Sequence, residues 1–141
     1  MVPVRPRPPR QWIAMLPNPV LEQLGLAESS WRKVEGHRNF AFGALIVWFA
    51  GCIEDWLNAV VPKWKERYFS VVGVFKKIDC LKRWLGDVET LWKLRNFAAH
   101  SKPEQIRIGH ELTEIDLQEA RRLTFKILSG VADIRFKKSM C

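Results

Sequence analysis

The sequence predicts an all-α protein: a bundle of four to five helices behind an extended, proline-rich N-terminal arm. Three observations predict it. Apolar residues recur at every third or fourth place in several long segments, which is the period of a helix with one face turned inward. The prolines and helix-stopping glycines fall mostly between those segments. Finally, the one run that reads as a strand, Gln105-Ile106-Arg107-Ile108-Gly109, is too short to found a sheet, so antiparallel helical neighbours are expected.

Residues 1–27 form the expected arm. Six of its residues up to Pro19 are proline, there is no helical period, and only a short helical turn near Val20 to Leu26 is anticipated. The helical domain is then residues 28–141. Ser29 or Ser30 caps a long helix running to about Val61, with Phe42, Leu45, Ile46, Phe49, Ile53, Trp56, Leu57 and Val60 on its apolar stripe and Pro62 ending it. From Asn39 to Ile53 this helix carries no charge. That run is shorter than the roughly 20 apolar residues of a membrane span, and Arg38, Glu54 and Asp55 close it, so it reads as a central core helix and not a membrane segment.

A second helical stretch, interrupted near Gly73 and stopping at Gly86, carries Val74, Phe75, Ile78, Leu81 and Trp84, with a basic exposed side. A third opens at Asp87 and places Val88, Leu91, Trp92, Arg95 and Ala98 or Ala99 along one side before Pro103 forbids continuation. A fourth begins with a capping box from Thr113 to Asp116, and turns Leu117, Ala120, Leu123, Ile127, Leu128, Val131 and Ile134 inward.

Composition bounds the function. The chain of 141 residues has a net charge of +8, which favours polyanionic partners because lysine and arginine attract phosphate and release its counterions. Arg5, Arg7 and Arg10 supply part of that excess. Cys52, Cys80 and Cys141 are far apart and lack the close Cys/His spacing of a zinc site; they are expected as free thiols in a reducing compartment. The first residues have no apolar run behind their arginines, so no secretory signal is read and a cytoplasmic protein is expected.

The end of the third helix, Leu94-Arg95-Asn96-Phe97-Ala98-Ala99-His100-Ser101, concentrates the groups that RNA cleavage needs. Histidine moves protons near neutral pH, and arginine grips a phosphate bidentately and stabilises charge on its oxygens. Asn96 is placed to orient either group. Arg95 and His100 are separated by roughly 140° of helical rotation, so they meet only if the last turn unwinds or a second chain completes the site. Lys93, Lys102 and Arg107 flank the helix mouth as candidates for tracking an RNA backbone. A second Arg-to-His spacing, Arg32 to His37, is attributed to chance, and His110 to a solvated loop. Trp48, Trp56 and Trp92 fall on apolar stripes and read as core or dimer contacts. Glu54 and Asp55 are adjacent and so cannot form a paired-carboxylate site on one helix face.

The segment Leu91-Trp92-Lys93-Leu94-Arg95-Asn96-Phe97-Ala98-Ala99-His100-Ser101, with a long apolar helix before it and a capped helix after it, resembles the HEPN superfamily. That family's motif is an arginine, a polar residue that is often asparagine, a few more residues and a histidine, matched here by Arg95, Asn96 and His100. The resemblance implies an α-helical bundle, a homodimer that brings two motifs into one cleft, and metal-independent endoribonuclease activity requiring no cofactor, with Arg95, His100 and Asn96 catalytic. It also implies a toxin or an antiphage-defence protein acting on RNA, paired with a cognate antitoxin or regulatory protein; some relatives are non-catalytic dimerisation or RNA-binding modules. Ser101, Lys102 and Pro103 stand where toxins controlled by a nucleotidyltransferase carry a tyrosine, and the chain's one tyrosine is Tyr68.

Overall fold

The computed structural model describes residues 10–34, 39–100 and 113–134. Among them it is all helical, without a strand. The described residues form seven α-helices in order: α1 (Arg10–Ala14), α2 (Asn18–Val34), α3 (Asn39–Val60), α4 (Trp64–Tyr68), α5 (Val71–Lys77), α6 (Leu85–His100) and α7 (Glu114–Val131), with a 3₁₀ segment, Asp79–Trp84, leading into α6.

The N-terminal reading is corrected over residues 10–27, where two helices, Arg10–Ala14 and the start of Asn18–Val34, are joined by a turn and contribute to the core; residues 1–9 lie outside the described residues. Leu16, Val20, Leu24 and Ala27 are buried, and burying each of the larger ones contributes about 1.5–3 kcal/mol. Pro17 and Pro19 mislead as helix breakers. Pro19 sits in the first turn of α2, where its missing N–H has no partner to lose, and the carbonyl of Pro17 accepts from Val20 N at 3.0 Å and Leu21 N at 3.1 Å. Ser29 and Ser30 therefore lie inside α2 and cap nothing.

α3 is the central helix. α2, α6 and α7 pack around it, and Ile46, Phe49, Ile53, Trp56 and Leu57 are sealed from solvent. Wrapping on several sides explains why it is apolar nearly all round. The expectation from its uncharged run is corrected in one respect: α3 has 22 residues, about 33 Å, and Phe42–Val60 is long and apolar enough to cross a membrane, the only such helix among the described residues. Half of that window is buried inside the bundle.

Pro62 follows the end of α3, and the chain turns at Lys63, which adopts a left-handed conformation (φ 53°). Trp64 closes the corner by donating from Nε1 to Asn58 Oδ1 at 2.8 Å. The interruption expected near Gly73 falls instead at Phe69 and Ser70: Ser70 caps α5, its Oγ accepting from Gly73 N at 2.9 Å. Gly86 does not stop a helix, nor does Asp87 cap one; both lie in the first turn of α6, where Thr90 Oγ1 donates to Gly86 O at 3.0 Å.

The capping box opening α7 is present. Asp116 N donates to Thr113 Oγ1 at 3.3 Å, and Thr113 N to Asp116 Oδ2 at 2.9 Å. Leu117, Ala120, Leu123, Ile127, Leu128 and Val131 are buried as the period required, while Ile134 is half-buried. Polar ties join the helices outside the core. Arg121 on α7 grips Glu28 on α2 with both ends of its guanidinium, Nη2 to Oε1 at 2.9 Å; Trp48 Nε1 donates to Gln23 Oε1 at 2.9 Å; and Lys126 on α7 meets Asp87 on α6 at 3.3 Å.

Two of the three cysteines fall among the described residues. Cys52 is a free, buried thiol, whereas Cys80 is disulfide-bonded, which corrects the expectation of free thiols at that position. Cys141 lies outside the described residues.

Candidate catalytic end of helix α6

α6 is anchored at its beginning and middle. Val88 and Leu91 are fully buried, the helix packs on α3 and α7, and Asp87 ties it to Lys126. Its last turns are less enclosed: Trp92, Leu94, Arg95, Phe97 and Ala98 are half-buried, and Lys93, Asn96 and Ala99 are exposed. A firmly held helix thus projects a partly open end.

At that end Arg95 and Asn96 are joined. Arg95 Nη1 donates to Asn96 Oδ1 at 3.1 Å, and the guanidinium carbon stands 5.8 Å from the centre of the Trp92 ring. One neighbour fixes the guanidinium through an edge and the other lies within cation–π range. Both restrict a side chain that otherwise samples many rotamers, which is what a phosphate-gripping group requires. Trp92 enters the site through this contact. Its place three residues before Arg95 was visible as a helical neighbour pair, but its position on an apolar stripe pointed to the core.

His100 is the last residue of α6, and its side chain lies outside the described residues. By helical geometry its backbone is about 7.5 Å along the axis and about 140° around it from Arg95. Lys102, Arg107 and His110 also lie outside the described residues, as do His37 and the side chain of Arg32. The described site is therefore Arg95, Asn96 and Trp92 with Lys93 beside them.

The other titratable groups offer little competing chemistry. On α3 the Cys52 thiol is pushed up to about 12 by burial and by the negative charge of Asp55, and its Sγ donates to Trp48 O at 3.6 Å, so it is held as an inert thiol. Burial, and then the charge of Glu54, raises the Asp55 carboxyl above the usual aspartate range. Among the described residues no three His, Cys, Asp or Glu side chains gather as ligands for a metal. On α3, Ile46, Phe49, Ile53, Trp56 and Leu57 are buried within the one chain, while Val47, Trp48 and Val60 are half-buried, as are Trp92, Leu94, Phe97 and Ala98 at the end of α6.

Comparison with family models, curated proteins and solved structures finds no match to this chain.

Proposed function

We propose that this protein is a metal-independent endoribonuclease of HEPN type, a homodimer acting as a toxin or antiphage-defence enzyme under a cognate antitoxin or regulatory protein. The observation that carries the reading is the Arg95–Asn96 pair at the partly open end of α6, five residues before the His100 that ends the helix. Chain order, an apolar helix before the motif and a capped helix after it, agrees with the family's bundle.

In the proposed reaction the 2′-oxygen of one nucleotide bonds to the neighbouring phosphorus as the bond from phosphorus to the 5′-oxygen breaks. The 2′-hydroxyl gives up its proton, and the departing 5′-oxygen gains one. His100 transfers a proton, Arg95 stabilises the charge growing on the phosphate oxygens, and Asn96 orients Arg95. Lys93, Lys102 and Arg107 contact the RNA backbone. The products are a 2′,3′-cyclic phosphate and a 5′-hydroxyl. Two-fold pairing of α6 ends would set two arginines and two histidines around one strand, so that the 140° between Arg95 and His100 on one helix is bridged by the second copy.

The test is incubation of the purified chain with labelled RNA and identification of the ends formed. A second reading, a non-catalytic dimerisation or RNA-binding module of the same family, is favoured by the contacts of Arg95 with Asn96 and Trp92, which hold the guanidinium for phosphate binding without supplying a proton. RNA that is retained but never cut supports that module.

A further inference from the structure

Phe69 is 85% exposed, the most of the large apolar residues on the described surface, ahead of Ile115 at 75% and of Leu26 and Met15 at under 50%. Its backbone is also unusual, with φ 69° and ψ −35°, and Ser70 N donates to Tyr68 O across it at 2.7 Å, closing a γ-turn. Such turns are rare because a side chain at positive φ is strained. The fold enforces this one: a Cβ on Gly73 would lie 2.3 Å from Tyr68 O, so only glycine lets α5 approach the turn, and Ser70 fixes the other side by capping Gly73 N. A strained, well-braced turn therefore holds a phenyl ring out in water.

Cations surround this ring in sequence. Lys63, Lys65 and Arg67 precede it and Lys76 and Lys77 follow on the short helix beyond, all exposed, against the single acid Glu66. Two of them already lie over aromatic rings, Lys65 at 5.6 Å from the Trp64 centroid and Arg67 at 5.4 Å from that of Tyr68. Phe69 has no ring contact among the described residues. An open aromatic face within a cationic stretch fits single-stranded nucleic acid, in which each base offers a π-face and each linkage a negative charge. It fits a bilayer less well, since interfacial anchoring grows with buried apolar area and this stretch exposes one large apolar side chain.

We propose that the α4–α5 turn is a single-stranded RNA-binding surface, with Phe69 stacking on a base and Lys65 and Arg67 holding the adjoining phosphates. It uses residues other than those at the α6 end and rests on the ribonuclease reading, which it deepens by assigning the RNA a second contact.

The test measures anisotropy of the full chain with a fluorescent, fully 2′-O-methylated RNA strand of about 12 nucleotides, a length within the range of single-strand binding sites, which cannot be cleaved because the attacking hydroxyl is blocked. Phe69→Ala should weaken binding by about 5- to 150-fold, the effect of one lost stack, while leaving the salt dependence unchanged. Phe69→Trp should bind as wild type and Phe69→Leu should behave as Phe69→Ala. Lys65→Ala with Arg67→Ala should instead flatten log K against log salt by about 1.4, two phosphate contacts at about 0.7 each. Wild-type binding retained in Phe69→Ala or Phe69→Leu, or no binding by the wild type, overturns the proposal. So does Phe69-dependent capture by vesicles containing phosphatidylserine when RNA binding is indifferent to Phe69. Because the strand cannot be cut, Phe69-dependent binding stands even if the chain cleaves no RNA, and cleavage by Arg95 and His100 stands even if Phe69 proves irrelevant to binding.

Discussion

Trp84 lies so close to Gly130 that a Cβ there would fall 2.3 Å from its indole nitrogen and 2.4 Å from the adjoining ring carbon. The indole, half-buried and within 5.0 Å of the Arg83 guanidinium, seals the 3₁₀ segment against the last turn of α7. Glycine inside a helix ordinarily costs up to about 1 kcal/mol relative to alanine. Here the close approach requires it. Gly130→Ala should destabilise the protein by about 1–2 kcal/mol net, because displacing the ring outweighs the helix-propensity gain. In a Trp84→Ala background the same substitution should become stabilising by up to about 1 kcal/mol. Urea denaturation of the four proteins measures both signs, and an unchanged sign in the second background refutes the contact.

Arg95→Ala and His100→Ala should each lower RNA cleavage by at least about 100-fold, the scale of losing a charge stabiliser or a proton-transfer group, with helicity by circular dichroism unchanged. Arg32→Ala and His37→Ala are matched controls and should cut normally. Cleavage should persist in a chelator and be absent with DNA, which has no 2′-hydroxyl. Either motif variant cutting at the wild-type rate removes the site assignment, and loss of activity in chelator that magnesium restores removes the mechanism.

Asp55→Asn should stabilise the protein at neutral pH. Burial and Glu54 raise the folded-state pKa of Asp55, so between its ordinary value of 3.8 and the raised one the folded state binds more protons than the unfolded chain. Its contribution to stability therefore falls as pH rises through that window, and above it the charged carboxylate imposes its full penalty on the fold. The gain from the amide should be largest at neutral pH and shrink below the raised pKa, largely vanishing beneath the ordinary one. Paired denaturation curves across the range check the sign; a variant less stable than wild type at neutral pH contradicts it.

The interior of this fold was legible wherever burial writes a strong period. The stripes of α3 and α7 were read residue by residue, since Phe49, Ile53, Leu57, Leu123 and Ile127 have no alternative to the core. The capping box was legible because two polar side chains satisfy each other's backbone locally. The N-terminal helices were not, because Pro17 and Pro19 have opposite meanings inside and at the start of a helix, and tertiary burial of Val20 and Leu24 decides between them. The Arg95–Asn96 pair was anticipated from adjacency, but the Trp92 contact depends on which way the guanidinium leans. The strain at Phe69 had no local signal, since no glycine or asparagine marks the turn and its cause, Gly73, lies four residues away.

That correction at the N-terminus has a measurable consequence. Leu24 is 4% exposed within the core of α2, so Leu24→Ala should cost about 2–5 kcal/mol by removing packed methyl groups and leaving a cavity. Removal of residues 1–27 should abolish cooperative unfolding, since it takes away Leu16, Val20, Leu24 and Ala27 together. A truncated protein melting as wild type would restore the independent arm.

Phe69→Gly tests whether the γ-turn is held under strain, independently of what it binds. The backbone at φ 69° is one that glycine adopts without penalty and phenylalanine does not, and strained residues of this kind cost of order 1–3 kcal/mol. The ring is exposed, so little packing is lost with it, but glycine also gains freedom in the unfolded chain, which offsets up to about 1 kcal/mol. The net expectation is a gain of about 1 kcal/mol over wild type. Phe69→Ala, which keeps a Cβ and therefore most of the strain, should stay within about 0.5 kcal/mol of wild type, as surface substitutions generally do. Gly73→Ala should move in the opposite direction, since its Cβ would press on Tyr68 O and force the turn open. Thermal denaturation of the three variants distinguishes strain from ordinary surface change: if Phe69→Gly is less stable than Phe69→Ala, the turn is relaxed and the ring's exposure needs another cause.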